Sequence, residues 1–252
     1  MKKFVFAAAL TSLSMPSSAN DSSAAIGLGG LELTQNDAIS MDSEDLFLSR
    51  ALVRVKYKFT NISAKDVETF VSFPLPSIPK GVGGYMGDQS YPNWQVQAHV
   101  TREQVFPAGK TMVVEHSYKP VIGGSVGGML ERASRKEQGF KGYAAAYCID
   151  QSFIKGFDKR RCSRRKESDG NEVDQFYVEH WLDYVLKSGA NWKGPIKDLR
   201  LVADKDKPGN LLSLCMTGVR KISPTQFEVR KTNFEPTQDI RILIAEFYDP
   251  NA

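Results

Sequence analysis

The sequence is poor in the side chains that most often bind metals. Its 252 residues include only three cysteines and three histidines, none at zinc-ligand spacing, and the acidic stretch NDAISMDSED lacks the residue order of a calcium loop. We therefore expect neither a metal nor a cofactor. The formal net charge is only +4, so no strong overall field attracts nucleic acid, and we expect no nucleic-acid partner.

Long apolar runs are also missing. The longest near the start, FVFAAAL, follows two lysines and precedes the small residues SSA just before Asn20. These parts in this order are typical of a secretory signal peptide, and the run is too short to span a membrane. We predict that residues 1–19 are removed, that the mature chain begins at Asn20 or Asp21, and that it has no transmembrane segment. The protein should be periplasmic or secreted.

Residues 52–60, LVRVKYKFT, alternate between apolar and charged side chains, which indicates a half-buried strand. Other segments with strand character are VETFVSF, WQVQAHV, TMVVEHSY, FYVEHWLDYVL, LRLVAD, LLSLC, QFEVR and IRILIAEF. Helical character is limited to MLERASRKEQ and to QSFIKGF, which Asp150 could cap. The pattern predicts an all-β protein, an antiparallel β-sandwich or sandwiches with one or two short helices in the middle of the chain.

The chain divides into four parts by composition. After the signal peptide at 1–19 come an N-terminal β part at 20–125, a basic, partly helical connecting segment at 126–174, and a C-terminal β part at 175–252. This length suits one large all-β domain, in which both β parts pack together, or two small domains.

Three cysteines in an oxidising compartment predict one disulfide and one remaining thiol. Cys148 and Cys215 end the apolar runs AAAYC and LLSLC, whereas Cys162 lies within the basic stretch KRRCSRRK. By restricting the unfolded chain, a Cys148–Cys215 bond would stabilise the fold by about 4 kcal/mol and a Cys148–Cys162 bond by about 3 kcal/mol. This difference is too small to decide between the two pairings. The settings of the cysteines favour Cys148–Cys215.

Several segments are similar to one known family. They are ANDSSAAIGLGGLELTQNDAISMDSEDLFLS, VRVKYKFTN with FPLP, FPAGKTMVVEHSYKPVIGGSVG, YCID and GANWKGPIKDLRLVADK, followed by LCMTGVRKISPTQFEVRKTNFEPTQDI. In this order they resemble the secreted bacterial proteins catalogued as domain of unknown function 4424. The resemblance implies export, no assigned activity and paired cysteines at Cys148 and Cys215. It also implies a longer, partly helical insertion after FPLP, where this chain has a short glycine-rich loop.

The motif GGSVG, with Ser125 at its centre, matches the nucleophile elbow of serine hydrolases. His180 could act as the base, with Asp174, Asp150 or Asp158 as the acid. His180 and Asp174 lie six residues apart in one strand-like segment, which would separate them by about 20 Å. The elbow also belongs to parallel sheets, whereas these surroundings are antiparallel. A serine hydrolase using Ser125 with His180 is therefore the alternative function.

A run of arginines is the first candidate binding surface. Arg160, Arg161, Arg164 and Arg165 lie close together with no aromatic residues between them, which does not favour nucleic acid. Arginine pairs well with phosphate, so a phosphate-bearing envelope polymer is a candidate partner. A solvated loop is the simpler interpretation.

The segment SGANWKGPI, residues 188–196, is the second candidate. Its glycines and proline predict a turn, with Trp192 packed onto the end of the sandwich. In the alternative, Trp192 is exposed and forms a carbohydrate platform with Trp94 or Tyr91. We expect the turn, and we expect an exported envelope interaction or binding module rather than an enzyme. Its partner would be another envelope protein or the phosphate-bearing polymer.

Overall fold

The computed structural model describes residues 22–27, 30–74, 99–162, 165–166 and 172–248. The strands are β1 (Ser22–Gly27), β2 (Gly30–Leu33), β3 (Ile39–Leu48), β4 (Val53–Asn61), β5 (Val67–Pro74), β6 (His99–Phe106), β7 (Thr111–Tyr118), β8 (Gly123–Val126), β9 (Arg165–Lys166), β10 (Glu172–Val173), β11 (Tyr177–Tyr184), β12 (Ile196–Asp204), β13 (Leu211–Leu214), β14 (Arg220–Lys221), β15 (Gln226–Phe234) and β16 (Ile240–Phe247). The helices are α1 (Gln138–Ala146) and α2 (Gln151–Arg161), and 3-10 turns span Ser134–Lys136 and Lys187–Asn191. The predicted all-β class with two short helices in mid-chain is confirmed.

Helix α2 begins where the sequence predicts. Asp150 accepts a hydrogen bond from the backbone N–H of Phe153 at 2.7 Å, which satisfies one of the free donors of the first turn. No helix in the described part of the chain is both long and apolar enough to cross a membrane.

The other helix lies further along the chain than predicted, because α1 includes only Gln138 of the segment MLERASRKEQ. Residues 129–133 of MLERASRKEQ form no helix, and only the 3-10 turn at Ser134–Lys136 precedes α1. Within this segment the N–H of Leu130 donates to the Glu179 carboxylate at 2.8 Å, so a side chain of β11 holds the stretch that precedes the 3-10 turn.

Six strands form the largest sheet, in the order β14-β15-β12-β3-β4-β7. Every neighbouring pair is antiparallel except β3 and β12, which run parallel with Leu46 opposite Leu201. On the other side of β3, Leu46 is paired with Val55 of β4. All three of these side chains are fully buried, so this row forms the centre of the core face.

A second sheet, in the order β13-β16-β11-β8, packs on the core face of the first. The hydroxyls of Tyr57 on β4 and Tyr184 on β11 lie 2.9 Å apart, and Tyr184 also donates to Glu44 at 3.1 Å. Burial raises the pKa of Tyr184, which keeps this hydroxyl protonated as a donor. The apolar side chains around these groups include Phe59, Leu182, Leu199, Val229, Ile242 and Ile244.

A third sheet, in the order β2-β1-β5-β6, extends the core beside β4 and β7. The chain passes into it between β4 and β5 and returns between β6 and β7. Asn61 joins both crossings, because its side-chain amide donates to the carbonyls of Lys65 and Phe106, each at 2.8 Å. Its backbone N–H donates to the Lys110 carbonyl at 3.0 Å.

The helices cover the other face of the second sheet. They enclose a smaller apolar cluster that includes Leu130, Phe157, Tyr177, Leu243 and Phe247. At its edge the buried carboxylate of Glu179 accepts hydrogen bonds from Tyr143 and Tyr177 as well as from Leu130. Burial raises the pKa of Glu179 more than these donors lower it.

A disulfide joins Cys148, between the two helices, to Cys215 at the end of β13, and the predicted pairing is confirmed. Cys162 is exposed and forms no disulfide. The Ser213 hydroxyl donates to the carbonyl of Tyr147 at 2.7 Å. This hydrogen bond joins β13 to the end of α1, next to the disulfide.

Loss of this disulfide should destabilise the fold. We expect Cys148→Ser and Cys215→Ser each to lower the free energy of unfolding by about 2–4 kcal/mol, because the bond closes a long loop in the unfolded chain. Thermal unfolding without reductant should show a melting temperature reduced by several degrees. Cys162→Ser is the control and should leave it unchanged. Equal losses in all three variants would contradict this prediction.

Candidate functional site

An open groove of about 550 Å³ crosses the face of the six-stranded sheet that points away from the second sheet. Successive side chains of β4 point to opposite faces of the sheet, so Val55 and Tyr57 are buried in the core while Lys56 and Lys58 are exposed on the groove side. The groove is lined by Ser43, Glu44, Asp45, Lys56, Lys58, Asp198, Arg200 and Arg230.

Strand register brings four of these charged residues into one row. Arg230 of β15 is opposite Arg200 of β12, which is opposite Asp45 of β3, which in turn is opposite Lys56 of β4. Neighbouring strands lie about 4.8 Å apart, so the row is roughly 14 Å long. This length suits a chain of linked groups better than a single small ion.

A second row lies beside the first. Asp198 of β12 is opposite Ser43 of β3, and Ser43 is opposite Lys58 of β4. Lys58 forms no ion pair within the described part of the chain. The groove lining contains four cationic side chains and three carboxylates, and Glu44 is the one carboxylate that is fully buried. The exposed rows, with four cations and two aspartates, therefore attract anions.

The ion pairs within the rows are open to water. Arg200 Nη1 lies 3.1 Å from Asp45 Oδ1, and Lys56 Nζ lies 4.0 Å from Glu115 at the far end of the row. Exposed pairs of this kind contribute about 0–1 kcal/mol, so a ligand can replace them at little cost.

Two smaller depressions lie on either side of the disulfide. Their volumes are about 390 and 340 Å³, and both include Cys148 and Leu214. Their remaining walls combine apolar side chains, including Met216, Phe234 and Phe153, with polar ones such as Gln238 and Lys205. They contain no comparable row of charged side chains among the residues that line them.

Trp192, a predicted binding residue, is fully buried. Its ring centroid lies 4.6 Å from that of Phe59 and 6.0 Å from that of Phe106. This position matches the interpretation of the segment as a turn with a packed tryptophan, and it leaves no exposed ring for a carbohydrate. Trp94 and Tyr91 lie outside the described residues.

Two of the four predicted arginines lie against the protein. Arg161 donates to the carbonyl of Gln175 at 2.7 Å and pairs with Glu131 at 3.1 Å. The Arg160 guanidinium lies 5.8 Å from the ring of Phe247. Arg164 and the side chain of Arg165 lie outside the described residues, so phosphate binding by this run stays a prediction.

The register separates Ser125 from His180. Ser125 is opposite Glu179, whereas His180 is opposite Gly124. Directly paired residues point to the same face of a sheet, so Ser125 shares the helix side with Glu179. His180 points to the other side, and the sheet lies between the two groups of the proposed hydrolase.

His180 instead belongs to a network at one end of the sandwich. Its Nε2 lies 2.9 Å from Arg50 Nη1 and 3.0 Å from Glu246 Oε2. Lys207 pairs with the same carboxylate at 3.0 Å, and Tyr248 donates to it at 2.8 Å. Burial alone would raise the pKa of Glu246, but the bonds from Arg50, Lys207 and Tyr248 lower it to about 2. The ionised carboxylate thus ties two loops to β11 and β16.

The same network keeps His180 neutral. Burial and the nearby charge of Arg50 lower the pKa of this imidazole, and they outweigh the opposite effect of Glu246. The histidine therefore resists protonation while the protein is folded.

This all-β chain belongs to a family described as a domain of unknown function, DUF4424, whose model matches residues 19–85 and 80–243. The predicted resemblance is confirmed. The two matched segments overlap at residues 80–85, in the glycine-rich stretch of sequence that follows FPLP. No protein of established annotation matches the sequence.

One solved structure with some similarity is the crystal structure of a "putative nutrient binding protein" from Legionella pneumophila. The sequences are 15% identical and the TM-score is 0.49. The match covers 90% of this chain and 70% of the other.

The sequence-based candidates did not include the groove. The alternation of Lys56 and Lys58 was visible, but charged residues on the solvent side of a strand are common. Arg200 lies 144 positions further along the chain than Lys56. Only the parallel pairing of β3 with β12 brings the two near each other.

Acid should weaken the fold through His180. Below about pH 6.5 the unfolded chain binds a proton at this residue that the folded protein resists, so stability falls as pH drops through this region and is retained above it. We expect His180→Gln to lose this part of the pH dependence. Chemical denaturation of both proteins between about pH 5 and 8 measures it. Parallel stability curves for the two proteins would contradict the assignment.

Proposed function

We propose that the protein is an exported binding module whose outer groove holds an anionic polymer of the cell envelope. The observation that carries the proposal is the charged row from Arg230 to Lys56, which crosses four neighbouring strands of an exposed sheet face.

The shape of the groove favours a polymer. It opens on a sheet face instead of closing around a small molecule, and its row of charges is roughly 14 Å long. Lys56 and Arg230, at its ends, are both more than half exposed, so an extended ligand can reach each without a change in the fold.

The chemistry of the groove favours binding over catalysis. Its lining consists of lysine, arginine, aspartate, glutamate and serine side chains, which recognise charge and hydrogen-bonding groups. Glu44 is fully buried and accepts from Tyr184 in the core, so it is not placed to act on a ligand above the sheet.

Export is supported by two independent features. The first residues have the three parts of a signal peptide, although they lie outside the described residues. The Cys148–Cys215 disulfide is the kind of bond that persists in an oxidising compartment such as the periplasm.

Direct binding measurements test the proposal. The mature chain, with its disulfide intact, would be titrated with labelled polyphosphate, polygalacturonate and neutral dextran in about 0.15 M salt. We expect binding to at least one polyanion and none to dextran. Affinity should fall as salt increases, because polymer counterions are released on binding.

A pair of charge-matched variants locates the site. Lys56→Gln combined with Lys58→Gln removes two cations from the groove and should weaken polyanion binding by roughly tenfold. The control, Lys110→Gln with Lys119→Gln, removes two exposed cations that do not line the groove and should have little effect. Equal affinities in the two double variants, or no polyanion binding by the unchanged protein, would overturn the proposal.

A further inference from the structure

Three arginines beside the groove gather around one carboxylate. Glu228 of β15 accepts bonds from Arg200 Nε at 2.9 Å and Arg230 Nη2 at 3.1 Å, both at Oε1. Arg220 Nη2 lies 2.7 Å from the other oxygen, Oε2. The three arginines come from β12, β15 and β14, so the sheet itself assembles this arginine cluster.

Glu228 is positioned to hold these side chains in place. Its side chain is only 6% exposed, beneath guanidinium groups that remain open to solvent, with Arg220 at 68% and Arg230 at 54%. Hydrogen bonds from Arg230 and Arg200, and then from Arg220, lower the pKa of Glu228 to about 2. The carboxylate therefore stays ionised at physiological pH and neutralises only one of three positive charges.

Even with its ion pairs, the cluster carries more positive than negative charge, since three arginines face Glu228 and Asp45. Arg200 and Arg230 are directly opposite each other, and a like-charged pair at such positions is destabilising. Asp45 pairs with Arg200, but Arg220 and Arg230 contact no other carboxylate in the described part of the chain. A bound anion would complete the charge balance of the cluster.

The free donors of the cluster suit phosphate. Each guanidinium has five N–H donors in a planar fork, and the bonds to Glu228 use one from each. A phosphate group has several oxygens pointing in different directions, so it can accept from two or three arginines together. A ligand carboxylate has two oxygens in one plane and is satisfied by one fork.

We infer that the arginine cluster of Arg200, Arg220 and Arg230, organised by Glu228, is a phosphate-recognition site. The anionic polymer of the proposed function then carries phosphate groups rather than carboxylates. This inference rests on the proposed function, since Arg200 and Arg230 also line the groove. Arg220 extends the groove toward the edge of the sheet.

Comparison of two polymers tests the inference. Polyphosphate and polygalacturonate of matched length and charge would be titrated into the mature protein, with inorganic phosphate as a third ligand. We expect polyphosphate to bind roughly tenfold more tightly than polygalacturonate, because a phosphate group can accept from two or three of the arginines together, whereas a carboxylate is satisfied by one. Inorganic phosphate should bind more weakly than the polymer, since it contacts only part of the groove.

The substitution Arg220→Lys tests whether recognition depends on the planar guanidinium group or only on its positive charge. It keeps the positive charge and should reduce polyphosphate affinity severalfold, and more than it reduces polygalacturonate affinity, because a carboxylate can pair with another arginine of the cluster. Lys221→Gln is the matched control, because Lys221 is opposite Phe227 and so lies on the other face of the same short strand. This control should leave the preference for polyphosphate unchanged.

The substitution Glu228→Gln gives a second test, in which the arginines stay and the carboxylate that positions them is removed. It adds one positive charge to the cluster, so a site that senses only charge should bind both polymers more tightly and keep their ratio. A site organised by Glu228 should instead lose much of its preference for polyphosphate. Unchanged melting temperatures would show that each variant is folded.

The possible failures are distinct. Equal affinity for both polymers, with no effect of Arg220→Lys on their ratio, would overturn phosphate recognition and leave the proposed function standing. Absence of binding to either polymer would overturn the proposed function as well. Inorganic phosphate binding as tightly as polyphosphate would support the arginine cluster but contradict a polymeric ligand.

Discussion

The parallel pairing of β3 with β12 is the contact on which the rest of the structure depends. It places Leu46 between Leu201 and Val55, and all three side chains are buried at the centre of the core. The same register fixes both faces of the sheet, because successive side chains point to opposite sides. The groove on the outside and the hydrophobic core on the inside are thus two results of one alignment.

Buried carboxylates hold the remaining elements on this framework. Glu179 fastens the segment before α1 to the second sheet, and Glu246 fastens two loops to the end of the sandwich. Each has several donors, as a carboxylate removed from water requires. The Cys148–Cys215 bond adds a covalent attachment where the helices meet β13. The helices are therefore attached chiefly to the second sheet, which leaves the outer face of the six-stranded sheet open for a ligand.

Much of the fold was predictable because its signals are local. The alternation of apolar and charged side chains predicted β4, and the preference of aspartate for the start of a helix predicted the cap at Asp150. The apolar segments that end at Cys148 and Cys215 predicted the disulfide. The helix predicted over residues 129–138 forms instead over Gln138–Ala146, and the stretch before it is held by a bond from Leu130 to Glu179 of a distant strand. The groove was missed for a similar reason, since nothing near Lys56 in the chain indicates that Arg200 lies close by.

The sequence by itself determined the all-β class, the two mid-chain helices, the family and the cysteine pairing. Each of these depends on side-chain patterns within short segments or on residues whose chemistry permits few partners. Only the tertiary structure decided that Ser125 and His180 face opposite sides of a sheet. It also decided which cations share the outer face. Strand order and register set these outcomes, and they depend on the packing energy of the whole core instead of on any local pattern.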